Sequence, residues 1–241
     1  MAMKICITND DGIRGEGLLR LVAWAQKLGD VYVFAPKVEQ SAKSHAIEIH
    51  KAFEVKPDAV PGAVKAYAVD STPADCVRFA ILGLHEQFDL VISGINRGLN
   101  IGQDIIYSGT VSAAMEAVAL GTNALALSTE PERFDDAVAQ LERVWAYITE
   151  NDLYGKCRLW NVNIPLNTTG EMRITRQGGP YFSDDFASEA NDMYRPMGKD
   201  VFAPTADSDF DTDCVLKHRC ISLSPLTIDR TDRAAFKLLN K

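Results

Sequence analysis

The chain has no CxxC pair, and its five cysteines (Cys6, Cys76, Cys157, Cys214, Cys220) are odd in number. Most sit inside apolar runs, which speaks for small core hydrophobes in a reducing compartment and against a zinc ribbon or disulfide scaffold. The four histidines (His45, His50, His85, His218) show no zinc-ligand spacing. Positive charge is scarce: 25 Lys and Arg against 33 Asp and Glu leave a net charge of −8. That excludes a sequence-independent grip on a nucleic-acid polymer, while leaving room for a local pocket for one phosphate. No apolar run has the length to cross a bilayer, and the opening residues lack a signal-peptide pattern. The expectation is a cytoplasmic protein with no membrane partner. There is no internal repeat or low-complexity tract.

What is present is a 46% hydrophobic composition over 241 residues, enough for one large α/β domain or a domain with an appendage. The stretch that organises the rest is KICITNDDGIRGEG, Lys4 to Gly17. Apolar Ile5-Cys6-Ile7 runs through Thr8-Asn9 into adjacent carboxylates, Asp10 and Asp11, then into a glycine-rich turn and an amphipathic segment. A strand delivering acids into such a turn places them at the carboxyl edge of a sheet, where open α/β folds bind ligands. Neighbouring carboxylates repel, so a cation explains the pair. A helix cap followed by a turn explains an isolated NDDG equally well.

Downstream, Leu18, Leu21, Val22, Ala25 and Leu28 recur at helical spacing, and Val31–Ala35 is a compact strand ended by Pro36. This order predicts a right-handed parallel βαβ unit. A polar loop, Lys37 to His45, leaves the same edge as the acidic turn. Ile47 to Ala68 predicts a hairpin excursion, and Ser71-Thr72-Pro73-Ala74-Asp75 a capped helix start. Strands are expected at Asp89–Ile92, Ala124–Ser128 and Leu159–Pro165, with helices over 111–120 and along the face Phe134, Val138, Leu141, Trp145, Ile148. Ser108-Gly109-Thr110 falls at a helix N-terminus, where N–H groups and hydroxyls suit a phosphate and where a plain Ser/Thr cap gives the same letters. After Pro165 the composition changes. Met172–Gln177 and Val215–Leu223 read as strands, and Thr231 as the cap of a last helix over 232–239. Ser183 to Asp213 is a long polar stretch, expected to be a lid, an oligomerisation arm or partly disordered.

Three segments therefore meet at one sheet edge: Asp10/Asp11, the Gln40–Ser44 loop and Ser93–Asn96. They offer carboxylates, a hydroxyl and an amide, hard oxygen donors suited to Mg²⁺ or Mn²⁺ rather than zinc. With the Ser108–Thr110 cradle beside them, the combination points to phosphoryl chemistry.

Seven motifs occur in order along the chain: NDDGI at 9–13, Gln40-Ser41, SGIN at 93–96, YSGTVSAAMEA at 107–117, NVNIP at 161–165, RITRQG at 173–178 and ISLSPL at 221–226. Together they resemble the survival-protein SurE family, over nearly the whole chain. The resemblance implies a divalent-metal-dependent nucleotidase that releases phosphate from nucleoside 5′- and 3′-monophosphates, with some members also acting on short polyphosphate. It implies one Mg²⁺ or Mn²⁺ per subunit on Asp10, Asp11, Ser41 and Asn96. Phosphate contacts fall on Ser108, Gly109 and Thr110, with Asn9 and Asn96 on the substrate side. Asp10 and Asp11 count as catalytic, and Asp104 stands nearby as a candidate acid or base. The implied fold is a Rossmann-like three-layer α/β core with a parallel sheet over 1–165. A β-rich C-terminal extension over 166–241 would build a homodimer or homotetramer by exchanging arms. The chain departs from the family pattern at Ala42–His45, at 183–213 and at His218-Arg219.

Two other readings use the same acidic turn. An aspartyl-phosphate phosphatase of the haloacid dehalogenase kind would use Asp10 as a covalent nucleophile, but such enzymes space their two acids by one residue and these are adjacent. A receiver-type signalling domain also binds Mg²⁺ through an acidic pair. It needs an Asp after the third strand and a Lys after the fifth, where this chain has SGIN and Ser128-Thr129-Glu130.

Overall fold

A computed structural model describes residues 2–205 and 209–240. Its first strand, β1 (Met3–Thr8), sends Ile5 and Ile7 into one apolar layer and Cys6 into another. A strand buried on both faces belongs in the middle of a parallel sheet. Parallel neighbours flank it: β2 (Gly29–Pro36) on one side and, further along the chain, Leu90–Arg97 on the other. The remaining strands of this sheet are β3 (Val55–Asp58), β4 (Lys65–Val69), β5 (the Leu90–Arg97 strand), β6 (Asn123–Thr129), β7 (Leu159–Ile164) and β8 (Met172–Ile174). A further pair, β9 (Phe182–Ser188) and β10 (Tyr194–Asp200), forms a separate antiparallel hairpin. The last strand, β11 (Ile221–Pro225), returns to the main sheet. The spatial order is β3-β4-β2-β1-β5-β6-β7-β11-β8.

Helices α1 (Glu16–Ala25), α4 (Asp135–Glu150) and α5 (Leu153–Lys156) cover the face to which Ile5 and Ile7 point. The Cys6 face is covered by α2 (Pro73–Arg78) and α3 (Gly109–Ala119). This is the expected Rossmann-like three-layer architecture. From β1 the chain winds outward through β2 and β4, then crosses back to place β5 on the other flank of β1. The winding direction therefore reverses between β1 and β5, and ligands of open α/β sheets bind at that crevice.

Four local expectations change. The 47–68 excursion is a hairpin only in part, because β4 also pairs in parallel with β2 and so extends the sheet. Strand character at Val215 is replaced by a wide helical turn, Asp213–Lys217, that buries Cys214 and Val215, and the strand starts at Ile221. Asp232, not Thr231, caps the terminal helix α6 (Arg233–Leu239), accepting from the Ala234 and Ala235 N–H groups at 3.0 and 2.9 Å. The polar stretch after Ser183 holds the β9/β10 hairpin, whose residues are almost all exposed.

Residues after 165 thus do two things. Strands β8 and β11 continue the core sheet, and the hairpin stands away from it. One buried carboxylate binds this part of the chain to the loop beyond β5. Asp211 accepts from Gly178 and Thr212 N–H groups at 2.8 Å and from Gly102 N–H at 3.1 Å. Burial pushes its carboxyl upward and those N–H groups oppose the shift. Asp211→Ala strands three buried donors and is expected to lower stability by about 3 kcal/mol. Asp211→Asn, which keeps an acceptor, should lose less; urea unfolding followed by circular dichroism checks this, and an unmoved midpoint for Asp211→Ala would refute it.

Candidate metal and phosphate site

The site begins where β1 ends. Asn9 is fully buried and its Nδ2 donates to the Gly12 carbonyl at 3.0 Å, closing the turn. Its Oδ1 is buried without a hydrogen-bond partner among the described residues. Asp10 follows, only 5% exposed, with its Oδ1 accepting from the Thr110 hydroxyl at 2.6 Å. The Thr110 N–H also donates to this carboxylate. Its backbone carbonyl takes the Gln40 N–H at 2.7 Å, and Asp11 Oδ2 takes the Arg97 N–H at 3.3 Å. The acidic turn is thereby bonded to each of the three other segments that the sequence assigns to this edge.

The approach of α3 to Asp10 depends on Gly109, where a Cβ would lie 3.1 Å from Asp10 Oδ2 and 3.3 Å from the Pro73 ring. Ser108 caps the helix, its hydroxyl accepting from Val111 N–H at 3.0 Å. Of the expected cradle, then, Thr110 serves Asp10 and Ser108 serves the helix. Thr110 N–H and Val111 N–H are thereby engaged, so among the described residues the first-turn group left for an anion is Gly109 N–H, with the positive end of the helix dipole behind it.

Asn96 is presented by an irregularity in β5, where pairing with β6 shifts register between Ser93 and Asn96. Gly94 makes this possible: its φ is +136°, and a Cβ there would sit 2.3 Å from the Leu127 carbonyl. A bulge of this kind re-aims the side chain that follows. Asn96 Nδ2 donates to the Gly98 carbonyl at 2.8 Å, which commits the nitrogen and leaves the oxygen, the atom a hard cation takes, on the opposite branch of the amide. Ser41 lies in the exposed loop, with its hydroxyl donating to Glu39 at 2.6 Å. Asp104 sits in the 3₁₀ turn Gly102–Tyr107, where its carboxylate accepts from the Tyr181 and Phe182 N–H groups at the foot of the hairpin. Burial raises its pKa, and one of its oxygens is buried without a partner among the described residues. The structure therefore bonds Asp10 to Thr110 and Asp11 to the Arg97 backbone, ties the Ser41 loop to them through Gln40, and sets Asp104 toward the extension.

One supporting cluster escaped the sequence reading. Asn161 and Asn163, both fully buried in β7, donate to the Asn100 carbonyl at 2.8 and 3.0 Å. Asn163 Oδ1 accepts from Asn100 N–H, and Asn100 Nδ2 donates to Ser128. These bonds fix the loop between Asn96 and Asp104 from beneath. The signal was the NVN of NVNIP, two polar side chains on one face of an otherwise apolar core strand.

Burial pushes the Asp10 carboxyl up to about 6, against the Thr110 hydroxyl that favours its charge, and the Asp11 charge pushes the same way as burial. Burial also raises Asp11, partly offset by the Arg97 N–H, with Glu39 adding to the rise. Two desolvated neighbouring carboxylates and an unpartnered buried amide oxygen are what a hard divalent cation satisfies. Among the described residues no group of three or more His, Cys, Asp or Glu side chains is placed to hold a metal ion.

The family model for Survival protein SurE matches residues 5–184. The 5′-nucleotidase SurE of Thermoanaerobacter sp. (strain X514) is 39% identical over 99% of this chain and 97% of its own length. That of Caldanaerobacter subterraneus subsp. tengcongensis is 37% identical over 98% and 96%, and that of Thermococcus gammatolerans 37% identical over 98% and 94%. The crystal structure of SurE protein from Aquifex aeolicus matches with a TM-score of 0.76 at 29% identity, covering 99% of this chain and all of the other. A match that runs end to end in both directions, on the same sheet and with the acidic turn inside the matched span, leaves one assignment: the chain belongs to the SurE family.

Proposed function

We propose that this protein is a divalent-metal-dependent phosphatase that hydrolyses nucleoside 5′- and 3′-monophosphates to nucleoside and phosphate. The observation that carries this reading is Asp10, buried at the reversal of the sheet and bonded to the N-terminus of α3, with the half-buried Asp11 carboxylate beside it. The relatives named 5′-nucleotidase support it. Short polyphosphate is a further substrate to screen.

Asp10, Asp11, Ser41 and Asn96 would hold one Mg²⁺ or Mn²⁺ per subunit. When bound, such an ion neutralises phosphate charge and acidifies a coordinated water. Thr110 fixes the rotamer of Asp10, and the Gly98 carbonyl fixes that of Asn96. The Gly109 N–H at the first turn of α3 would face an equatorial phosphate oxygen, where with the helix dipole it stabilises charge as the ester bond breaks. Asn9, locked by Gly12, keeps the turn from collapsing onto the substrate. The proton of the attacking water would pass to Asp11, the less buried of the pair. The water oxygen bonds to phosphorus as the bond from phosphorus to the ester oxygen breaks, and the proton held on Asp11 is returned to that oxygen, which departs as the nucleoside hydroxyl. Trapping of a phospho-enzyme on Asp10 would instead favour the covalent reading.

The assembly we propose is a homodimer or homotetramer. Supporting it, the hairpin exposes Phe186, Tyr194 and Met197, and α6 exposes Phe236, Leu238 and Leu239, an apolar surface of the sort that marks contact between chains. Among the described residues no helix is long and apolar enough to cross a membrane.

Asp10→Asn and Asp11→Asn are each expected to lower metal-dependent phosphate release at least a hundredfold with an unchanged circular dichroism spectrum, as does EDTA on the wild type. Near-wild-type turnover in either variant ends the assignment. The Asp10 carboxyl rises from an ordinary 3.8 to about 6 on folding, so its contribution to metal-free stability is complete below pH 3.8 and lost as pH climbs through 6. At pH 7.5 metal-free Asp10→Asn should therefore be more stable than wild type by about 3 kcal/mol. That advantage should shrink toward pH 5 and invert with saturating Mn²⁺, as read by thermal unfolding. Removing the hairpin, residues 182–200, should reduce the mass measured by light scattering; an unchanged mass would leave α6 as the remaining contact.

A further inference from the structure

The loop that carries Ser41 has no regular secondary structure between β2 and β3. Its position must come from bonds to neighbours, and those bonds follow a pattern. Before Ser41, Gln40 N–H reaches the Asp10 carbonyl. Beyond it, Ser44 donates its N–H to the Tyr107 carbonyl at 3.1 Å and its hydroxyl to the Ile106 carbonyl at 2.6 Å. His45 Nε2 lies 2.8 Å from Glu116 Oε2, while Glu116 Oε1 accepts from Arg78 at 2.8 Å. Thr72 then donates to the Ala46 carbonyl, and Glu48 N–H to Asp75.

Glu116 is the unusual member, 7% exposed on α3 two turns beyond Ser108. A buried carboxylate needs a charged partner, and Arg78 from α2 already supplies one. The other oxygen faces His45, a residue of the long loop between β2 and β3 and not of the core. One rigid helix therefore touches Asp10 at its first turn through Thr110 and, two turns on, reaches the Ser41 loop through Glu116.

We propose that Glu116, acting through His45, is a positioning residue that sets the Ser41 loop in place relative to Asp10, with Arg78 aiming the Glu116 carboxylate. The inference rests on the metal-dependent reading above. It assigns a task to the AME of YSGTVSAAMEA and to His45, one of the four residues at which the loop departs from the family pattern. Both residues act on the geometry of the ligand set and touch neither phosphate nor nucleoside.

The test measures Mn²⁺ binding by the electron paramagnetic resonance of the free ion, on the full chain without nucleotide, and then phosphate release from nucleoside monophosphates as Mn²⁺ is varied. His45→Ala and Glu116→Ala should each weaken Mn²⁺ binding about tenfold. The Mn²⁺ concentration for half-maximal activity should rise by the same factor, while KM for the nucleotide and kcat at saturating Mn²⁺ stay near wild type. His45→Gln, whose amide can still donate to Glu116, should recover most of the affinity. The double variant should bind no more weakly than the weaker single one, because the two residues share one path. Where Glu116→Ala fails to fold, His45→Ala and His45→Gln decide alone. Wild-type Mn²⁺ affinity in His45→Ala overturns the proposal, as do additive losses in the double variant or a His45→Gln as weak as His45→Ala. If the wild type binds Mn²⁺ but releases no phosphate from any nucleotide, the nucleotidase reading fails and the positioning role is still judged by the binding data.

Discussion

Everything at this site depends on keeping two neighbouring carboxylates out of water. Burial opposes their charge, and the Thr110 hydroxyl and amide answer for only part of the cost at Asp10. The rest of the chain is arranged so that the deficit persists: the winding of the sheet reverses between β1 and β5 beside the pair, Gly109 lets α3 approach Asp10, and the β5 register shift beyond Gly94 presents Asn96 after it. A turn built only for stability would pair Asp10 with a basic side chain. This one is bonded to hydroxyl and amide groups, which leaves its charge for something brought from outside.

The supporting structure has two tiers. Beneath the loop, the asparagines of β7 grip the Asn100 backbone from the buried face of the sheet, through Asn161 Nδ2 and both amide atoms of Asn163. Above it, Asp211 ties the chain after 165 to Gly102, and Asp104 takes the amides of Tyr181 and Phe182. The loop running from Asn96 to Asp104 is thus held from the core and from the extension at once. A change in the extension has a short hydrogen-bonded route, through this loop and the Arg97 N–H, to the acidic turn.

Much of the core was legible because its signals are local. Ile5-Cys6-Ile7, Val31–Ala35 and Asp89–Ile92 could only be buried parallel strands, and the cap at Thr72 and the helix start at Ser108 are written in three or four letters each. The carboxylate pair was legible for the same reason. Less legible were features set by tertiary contact. Val215 is apolar enough for a strand, yet Asp213 engages Thr205 and holds that segment in a helical turn. Asp104 looked like a neighbour of the acidic turn by sequence distance from Ser108, and its buried amide donors come from residues 181 and 182. Asn161 and Asn163 carried a visible oddity, polarity on the inward face of a strand, whose partner 61 residues away nothing local could name.

The order of strands at one margin of the sheet has a consequence for biosynthesis. β11 inserts between β7 and β8, and among the described residues β8 pairs with no other strand. While the chain leaves the ribosome, residues 172–174 must wait, unpaired, until some fifty more have emerged. The central strands and the acidic turn can collapse early, whereas that margin is completed last. In the interval β7 offers an open edge to any other nascent chain, a window in which chaperone capture or mispairing competes with completion of the fold.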